Sequence, residues 1–471
     1  MKCRLELKSS LLLSIGLSSG LFFCAACSSS VDAQEIKPLT PNECVALALR
    51  RSPQAKAALY ARQAQQVTVD REKPVSRPTI TASASGTLQG PHVTFPRVTS
   101  DGIYDAMVLP EQYGRVGLTI EQPLYRAGLG AARQRYAAQS ESAVQDYRRA
   151  LADVALMARK ACIDLLRAES GVRLAEDGLA AAVQYQKLVT QQIVAGLAKP
   201  VDAETVKGSV AEAQAGVEQA NGGLRLARMA LNHTLGLPLT QPIEVAAPIL
   251  STVVPNSPDV SVETALKNRP ELRGLELNIK TARAGVSLAR AQTQPTLGLR
   301  GQVLEQTPSA FQNQHYAAAT LELKWSLFDG GRTRLDTAEA SAQVKRLEAL
   351  LEDTRSGITL DVMQNLQKLR DIQGKIETAK IQRAGAEALL VVASTAYEIG
   401  RGTLVEMLAA AREVRTSKER EQQAGYDLAA AAADFEYAQG TLVSDADAID
   451  VYRNGLLYRT APKQSEHREK K

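Results

Sequence analysis

The chain has 471 residues and a formal net charge of +5, with 23% charged residues, only 4% aromatics and a single tryptophan. That length could hold two or three ordinary domains, but cores built from Ala, Leu and Val with few rings suit long, closely packed helices better than compact globules. Part of the charge sits in the tail His467-Arg468-Glu469-Lys470-Lys471, and no basic stretch studded with aromatics reads as a nucleic-acid surface.

Residues 1–33 read as an export signal. Lys2, Arg4 and Lys8 precede an apolar core from Leu11 to Phe23, and small residues follow. The core is too short to span a bilayer, and nothing later approaches about 18 uninterrupted apolar residues. Two cleavage positions compete. Cleavage before Cys27, with Ala25-Ala26 ahead of it and Ser28-Ser29-Ser30 behind, would leave a lipidated cysteine, although Cys24 stands where Leu is usual. Cleavage after Ala33, in Val31-Asp32-Ala33, is the alternative. Either way the mature chain leaves the cytoplasm without Cys3 and Cys24. Cys44 and Cys162 fall in separate predicted helices, so no disulfide framework is expected.

After a polar spacer, Leu39-Thr40-Pro41-Asn42 caps a helix carrying Val45, Ala48 and Leu49 on one face. It is predicted to continue through Ala57, Tyr60, Ala64 and Val67 and to stop near Pro74 and Pro78. Residues 79–89 alternate as a strand, with Ile80, Ala82, Ala84 and Gly86 on one side and Thr79, Thr81, Ser83, Ser85 and Thr87 on the other. Residues 90–113, rich in Pro, Gly and Thr, read as a loop. A second strand, 114–124, brings Val116, Leu118 and Ile120 into Glu121-Gln122-Pro123-Leu124-Tyr125-Arg126-Ala127-Gly128. A long Ala-rich helix over 131–195 follows, spanning roughly 100 Å at 1.5 Å per residue. Its apolar series (Ala150, Val154, Met157, Ala161, Leu165, Ala168, Val172, Ala175, Leu179, Ala182, Gln186, Val189, Ile193) steps by threes and fours, as a coiled-coil seam does. Helices 43–75 and 203–235 are each about half that length, so stacked end to end they would flank the long one.

A Pro-rich segment, 236–260, leads to a second copy. Val45, Ala48, Leu49 and Pro53 match Val262, Ala265, Leu266 and Pro270 at a shift of 217, and Gly196 matches Gly400 at a shift of 204. The difference falls in the loop between the strands, where insertions are tolerated. The first repeat therefore covers 36–235 and the second 261–442, with second-copy strands at about 296–305 and 316–327 around a shorter loop at Pro308. The second junction is Lys324-Trp325-Ser326-Leu327-Phe328-Asp329-Gly330-Gly331. One glycine turn between strand and helix is unremarkable. Two in the same context, each preceded by an aromatic (Tyr125, Phe328) of the kind that sits at a bilayer edge, make a signal. Tyr113, Tyr316 and Trp325 also fall near strand ends. Past 443 the periodicity fades into a polar tail.

No catalytic or cofactor constellation is visible. His92, His233, His315 and His467 are scattered, and no His, Cys and carboxylate grouping has metal-ligand spacing. The many helical carboxylates read as solvated faces.

In the order and duplication of its motifs the sequence resembles the TolC family of bacterial outer-membrane efflux proteins, over about residues 36–442. The motifs are Leu-Arg-Arg-Ser-Pro and Leu-Lys-Asn-Arg-Pro, Pro-Leu-Tyr-Arg-Ala-Gly and Ser-Leu-Phe-Asp-Gly-Gly, and the turns at Gly196 and Gly400. The resemblance implies a mainly α fold with a small β part: antiparallel coiled-coil helices form a periplasmic helical barrel, and each protomer gives four strands to a trimeric transmembrane β-barrel in outer-membrane lipid. It implies a passive exit duct for efflux or type I secretion, docked to a periplasmic adaptor and an inner-membrane transporter of the RND or ABC type. The tips Gly196, Leu197, Ala198, Gly400, Arg401, Gly402 and Thr403 would meet the adaptor, and Asp202 and Glu406 would ring the periplasmic constriction. Ala409 stands where the family often has a further aspartate, and Gly402 replaces a position that can be polar. For Asp202 and Glu406 the plain alternative is a carboxylate favoured by the helix dipole in a first turn. A periplasmic coiled-coil structural protein without a pore, and an exported enzyme on a helical scaffold, are the competing functional readings.

Overall fold

In the computed structural model, residues 38–72, 76–88, 90, 93–109, 112–246, 257–307 and 315–443 are described. The export signal with Cys27, Pro74, His92, Pro308, residues 247–256 of the Pro-rich linker and the tail from 444 lie outside the described residues.

The first helix, α1 (Pro41–Arg51), starts on a reciprocal cap. The Glu43 amide donates to Thr40 Oγ1 and the Thr40 amide to Glu43 Oε2. It does not run on to residue 75. Ser52 is extended, with ψ of 132°, and Pro53 opens a separate helix, α2 (Pro53–Glu72). A residue before proline is pushed out of the helical region, while proline itself suits a first helical turn. The second copy breaks likewise: α5 (Pro258–Asn268) stops at Arg269, and α6 (Pro270–Ala291) follows.

Four strands make one antiparallel sheet in the order β1 (Thr79–Leu88), β4 (Gln112–Arg126), β5 (Thr296–Thr307) and β6 (His315–Lys324). The region read as a loop over 90–113 instead holds a hairpin, β2 (Val93–Thr99) and β3 (Gly102–Leu109), turning at Ser100-Asp101. Pro96 obscures its alternation, but Asp101-Gly102 is a strong short-range turn signal. β6 ends at Lys324 rather than at 327, so Trp325, Ser326 and Leu327 lie in a loop ahead of Phe328.

The long helices are α3 (Leu129–Val194) and α4 (Pro200–Leu235), then α7 (Arg332–Glu398) and α8 (Leu404–Ala438). Each pair forms a hairpin, with α4 along α3 and α8 along α7. All four end in the same way, on a glycine with positive φ: Gly196, Gly236, Gly400 and Gly440. The amide one residue later reaches back to a carbonyl five residues earlier, as Leu197 does to Gln192 and Arg401 to Ala396. This satisfies the helix's orphan carbonyls and needs a residue without a Cβ. Gly236 and Gly440 also seat against the proline breaks. A Cβ on Gly236 would lie 2.7 Å from the Arg51 carbonyl oxygen, and one on Gly440 3.1 Å from Asn268 backbone. The end of α4 thus meets the start of α2, and both lie along α3.

The seam on α3 is buried at Val154, Leu165, Val172, Ala182 and Val189, but Met157 is exposed. In its upper half α3 also buries Leu151, Ala155, Ala158, Cys162 and Leu166, a second face covered by α1 and α4. Cys44 and Cys162, on separate helices, both lie in this cluster, fully buried and free. A second cluster joins α5–α8 around Ile358, Val362, Leu366, Leu369 and Phe435.

Ion pairs cluster near the proline breaks, some within the second copy and some between the two copies. Arg269 donates to Asp361 at 2.9 Å and lies over the Tyr437 ring. Burial, and the hydrogen bond that Tyr437 donates to Asp153, push its phenol up to about 12. Lys160 and Lys368 both engage Asp434, and Arg159 pairs with Glu436.

Candidate functional site

The tips of the two helical hairpins lie side by side. Val189 and Val206 of the first pack with Tyr397, Leu404 and Met407 of the second, and Gln192 Nε2 donates to the Glu398 carbonyl. The predicted tip residues Gly196, Leu197 and Ala198 are thereby brought beside Gly400, Arg401, Gly402 and Thr403. Both turns use the same bonds: Ala198 donates to Gln192 O, and Gly402 to Ala396 O. A Cβ on Gly402 would sit 3.0 Å from the Tyr397 amide. The turn's tightness explains why no polar side chain stands there.

Asp202 and Glu406 both occupy the third position of the helix after the turn. Asp202 Oδ2 accepts from the Lys199 amide at 3.1 Å, and Glu406 Oε2 from the Thr403 amide at 2.9 Å. Hydrogen bonding to Thr403 holds the Glu406 carboxyl below its ordinary range. Each cap engages one oxygen of its carboxylate. Burial, and then the charge of Asp202, push the Tyr397 phenol up. Sequence reasoning missed the apolar rim of these turns: Val194, Leu197, Val201, Ile399 and Val405 are all exposed. Its signal was available, since apolar residues flank both glycines.

At the other end, the junctions differ in detail. Gly128 and Gly331 both start their helices with positive φ, 78° and 87°. Gly128 is packed: a Cβ there would meet that of Ala291 at 2.9 Å. Gly330 and Gly331 face open space, and Asp329 caps α7, taking the Gly331 amide at 2.9 Å and the Thr333 amide at 2.8 Å. Bonds from the Thr333 hydroxyl and amide and from the Gly331 amide lower its pKa. Tyr125, Trp325 and Phe328 are exposed, and Trp325 Nε1 donates to the Thr293 carbonyl.

Register decides what the sheet can do. Ile80 pairs with Ile120, Ile120 with Gly301 and Gly301 with Ala319; Ala82, Leu118, Val303 and Ala317 form the next row. A bulge between Pro123 and Tyr125 keeps Tyr125 in line with Leu297 and Leu323 on this apolar face. The opposite face carries Thr79, Glu121, Arg300 and Thr320 in one row, with Arg300 bridging Glu121 at 3.0 Å. Period-two alternation held in register across four strands gives the sheet one side for lipid and one for water. Its outer strands β1 and β6 have no second partner among the described residues. Open edges are not tolerated in a bilayer, so the sheet must be completed by further strands. No helix among the described residues is long and apolar enough to cross a membrane, and no cluster of metal-ligating side chains occurs among them.

A sheet segment of this kind, continuous with two long helical hairpins related by an internal repeat, defines a protomer of an outer-membrane channel with a helical periplasmic barrel. The sequence matches the outer membrane efflux protein family over residues 44–237 and 261–441, and the chain belongs to that family. Protein CyaE of Bordetella pertussis is 24% identical over 395 residues, covering 82% of this chain and 81% of that one. The outer-membrane protein VceC of Vibrio cholerae superposes with a TM-score of 0.69 at 17% identity, covering 85% of this chain and 96% of its own. The open state of the MtrE channel of Neisseria gonorrhoeae does so with a TM-score of 0.66 at 19% identity, covering 85% and 89%. The protein is an outer-membrane exit duct for efflux or secretion, with most of its chain in the periplasm. Channels of this family are trimers that work with adaptors and inner-membrane transporters, and the family is one of channels rather than enzymes.

Proposed function

We propose that three copies of this chain close one barrel of twelve strands, four from each copy, and that the hairpin tips form its gated periplasmic entrance. The juxtaposition of the two tips, each with a carboxylate at the third position of its second helix, is the observation that carries this reading. Threefold symmetry would repeat Asp202 and Glu406 as rings of like charge, which attract cations and repel one another. The exposed apolar rim around Gly196 and Gly400 supports docking of a periplasmic adaptor there. An inner-membrane transporter of the RND or ABC type would supply energy through that adaptor. Cys27, outside the described residues, would carry a lipid anchor. Opening separates the hairpins, a change between two packed arrangements of their seams.

Conductance across a planar bilayer tests the entrance. The double substitution Asp202→Ala, Glu406→Ala should raise conductance and weaken cation preference. Unchanged selectivity would leave the two carboxylates as helix caps alone. A purified protein that forms no conducting pore would remove the channel reading and favour a structural coiled-coil protein.

A further inference from the structure

Cys44 and Cys162 are the pair of side chains that the exit-duct reading leaves unused. Each is fully buried, Cys44 on α1 beside Ala48 and Cys162 on α3 beside Ala158. The small neighbours let the two helices approach closely, and the two free thiols lie in one buried apolar cluster, near enough to shift one another's protonation. In the second copy the same places, shifted by 217 and 204, hold Ser261 and Leu366, both buried. The thiol pair is thus a feature of the first copy and not of the shared architecture. Of the chain's five cysteines, Cys3 and Cys24 belong to the export signal and Cys27 to its cleavage region. Removal of the signal, with lipid on Cys27, leaves this buried pair as the only free thiols.

We propose that Cys44 and Cys162 form a disulfide in the exported protein, joining α1 to α3 across the whole of the first strand segment. The compartment that holds these helices is oxidising, and disulfides persist there. The oxidant is a protein disulfide of the thiol-oxidase class. One cysteine attacks it as thiolate and forms a mixed disulfide, releasing one thiol of the oxidant. The other cysteine then attacks the first sulfur and releases the second thiol. Two S–H bonds are lost from this chain and two are gained by the oxidant, with two electrons transferred. The neighbouring Cys44 and burial hold the Cys162 thiol far above its ordinary range, so it is unreactive once the core has closed. Oxidation therefore belongs to the stage before α1 docks.

Peptide mapping of the full-length protein from outer membranes tests this without any variant. Cells are lysed into denaturant with N-ethylmaleimide, and the protein is digested without reductant. The expected result is a cross-linked pair of peptides containing Cys44 and Cys162, two hydrogens lighter than their sum, with most copies unalkylated at both positions. Alkylation of both cysteines in most copies would overturn the proposal. In a Cys44→Ser variant, Cys162 should become alkylated. If that variant does not accumulate, reducing the denatured wild type before alkylation gives the same readout, with both labels appearing only after reduction.

Discussion

The helices α3 and α7 are repeat equivalents of nearly equal length, 66 and 67 residues, each starting at a glycine with positive φ, yet sixteen residues of α3 are buried and only eight of α7. α3 packs against α1, α2, α4, α6 and α8; α7 packs along α5, α6 and α8 and meets the first hairpin at its tip, through Tyr397 and Glu398. Accordingly α7 leaves Leu335, Leu360, Ile381, Val391 and Val392 exposed, whereas the exposed large apolar residues of α3 are Met157 and Val194. Duplication gave the two helices the same length and ends, but not the same neighbours. α3 is the spine of the protomer. That bare side of α7 is free in the single chain, and in a trimer it would be available to a neighbouring copy.

The sharpest way to break that distinction is to alter both helices. Leu165→Ala on α3 empties a fully buried site and should cost about 2–5 kcal/mol, seen as loss of folded protein in the outer membrane. The paired change Ile381→Asp, Val392→Asp on α7 should keep the protomer's helical circular dichroism while abolishing the slow-migrating oligomer on unheated gels. An intact oligomer would show that this face is not between copies. The glycines give a graded second test. Gly236→Ala meets the Arg51 carbonyl and takes a left-handed backbone, about 2–4 kcal/mol. Gly440→Ala, with nearest atoms at 3.1 Å, should cost less, and Gly331→Ala, in open space, only about 1 kcal/mol. Thermal melts that fail to rank these three in that order would contradict the packing at the proline breaks. Next comes Arg269→Ala. It strips Asp361 of a partner and should cost about 1–3 kcal/mol, with no counterpart at Ser52 in the first copy.

The smallest effect concerns the helix starts. Asp329 caps α7, but its counterpart ahead of α3 is Arg126, which cannot accept these bonds. The Asp329 pKa is depressed in the fold. Its stabilisation is therefore complete above the unfolded value of about 3.9 and is lost as pH falls through the lower folded value. The protection factors of the Gly331 and Thr333 amides, that is exchange corrected for its intrinsic pH dependence, should fall over that acid range in the wild type and stay constant in Asp329→Asn. An equal acid response at the start of α3 would show that the cap is not its cause.

What was legible followed from local chemistry. The first long helix could be read from its three-and-four stepping, its repeat from the shift that carries Gly196 onto Gly400, and the first strand from clean alternation between a hydroxyl face and an apolar one. The breaks at Pro53 and Pro270 were visible as motifs but not as interruptions, because the apolar pattern continues across them. The β2–β3 hairpin was hidden by Pro96. The tip glycines and first-turn carboxylates could be placed from sequence; the apolar rim beside them went unnoticed because it is scattered over four helix ends. The Arg269–Asp361 and Tyr437–Asp153 bonds join residues far apart in the chain, and no periodicity announces them. The meeting of Cys44 with Cys162 was likewise illegible, since it depends on which helix covers which.

The central claim is that the apolar face of the four-stranded sheet is one third of a shared lipid-embedded barrel. The most direct test is the mass of the particle extracted from outer membranes in mild detergent, by native mass spectrometry. The account predicts three chains per particle, released only by detergent. A monomer or dimer that leaves the membrane fraction in buffer alone would contradict it.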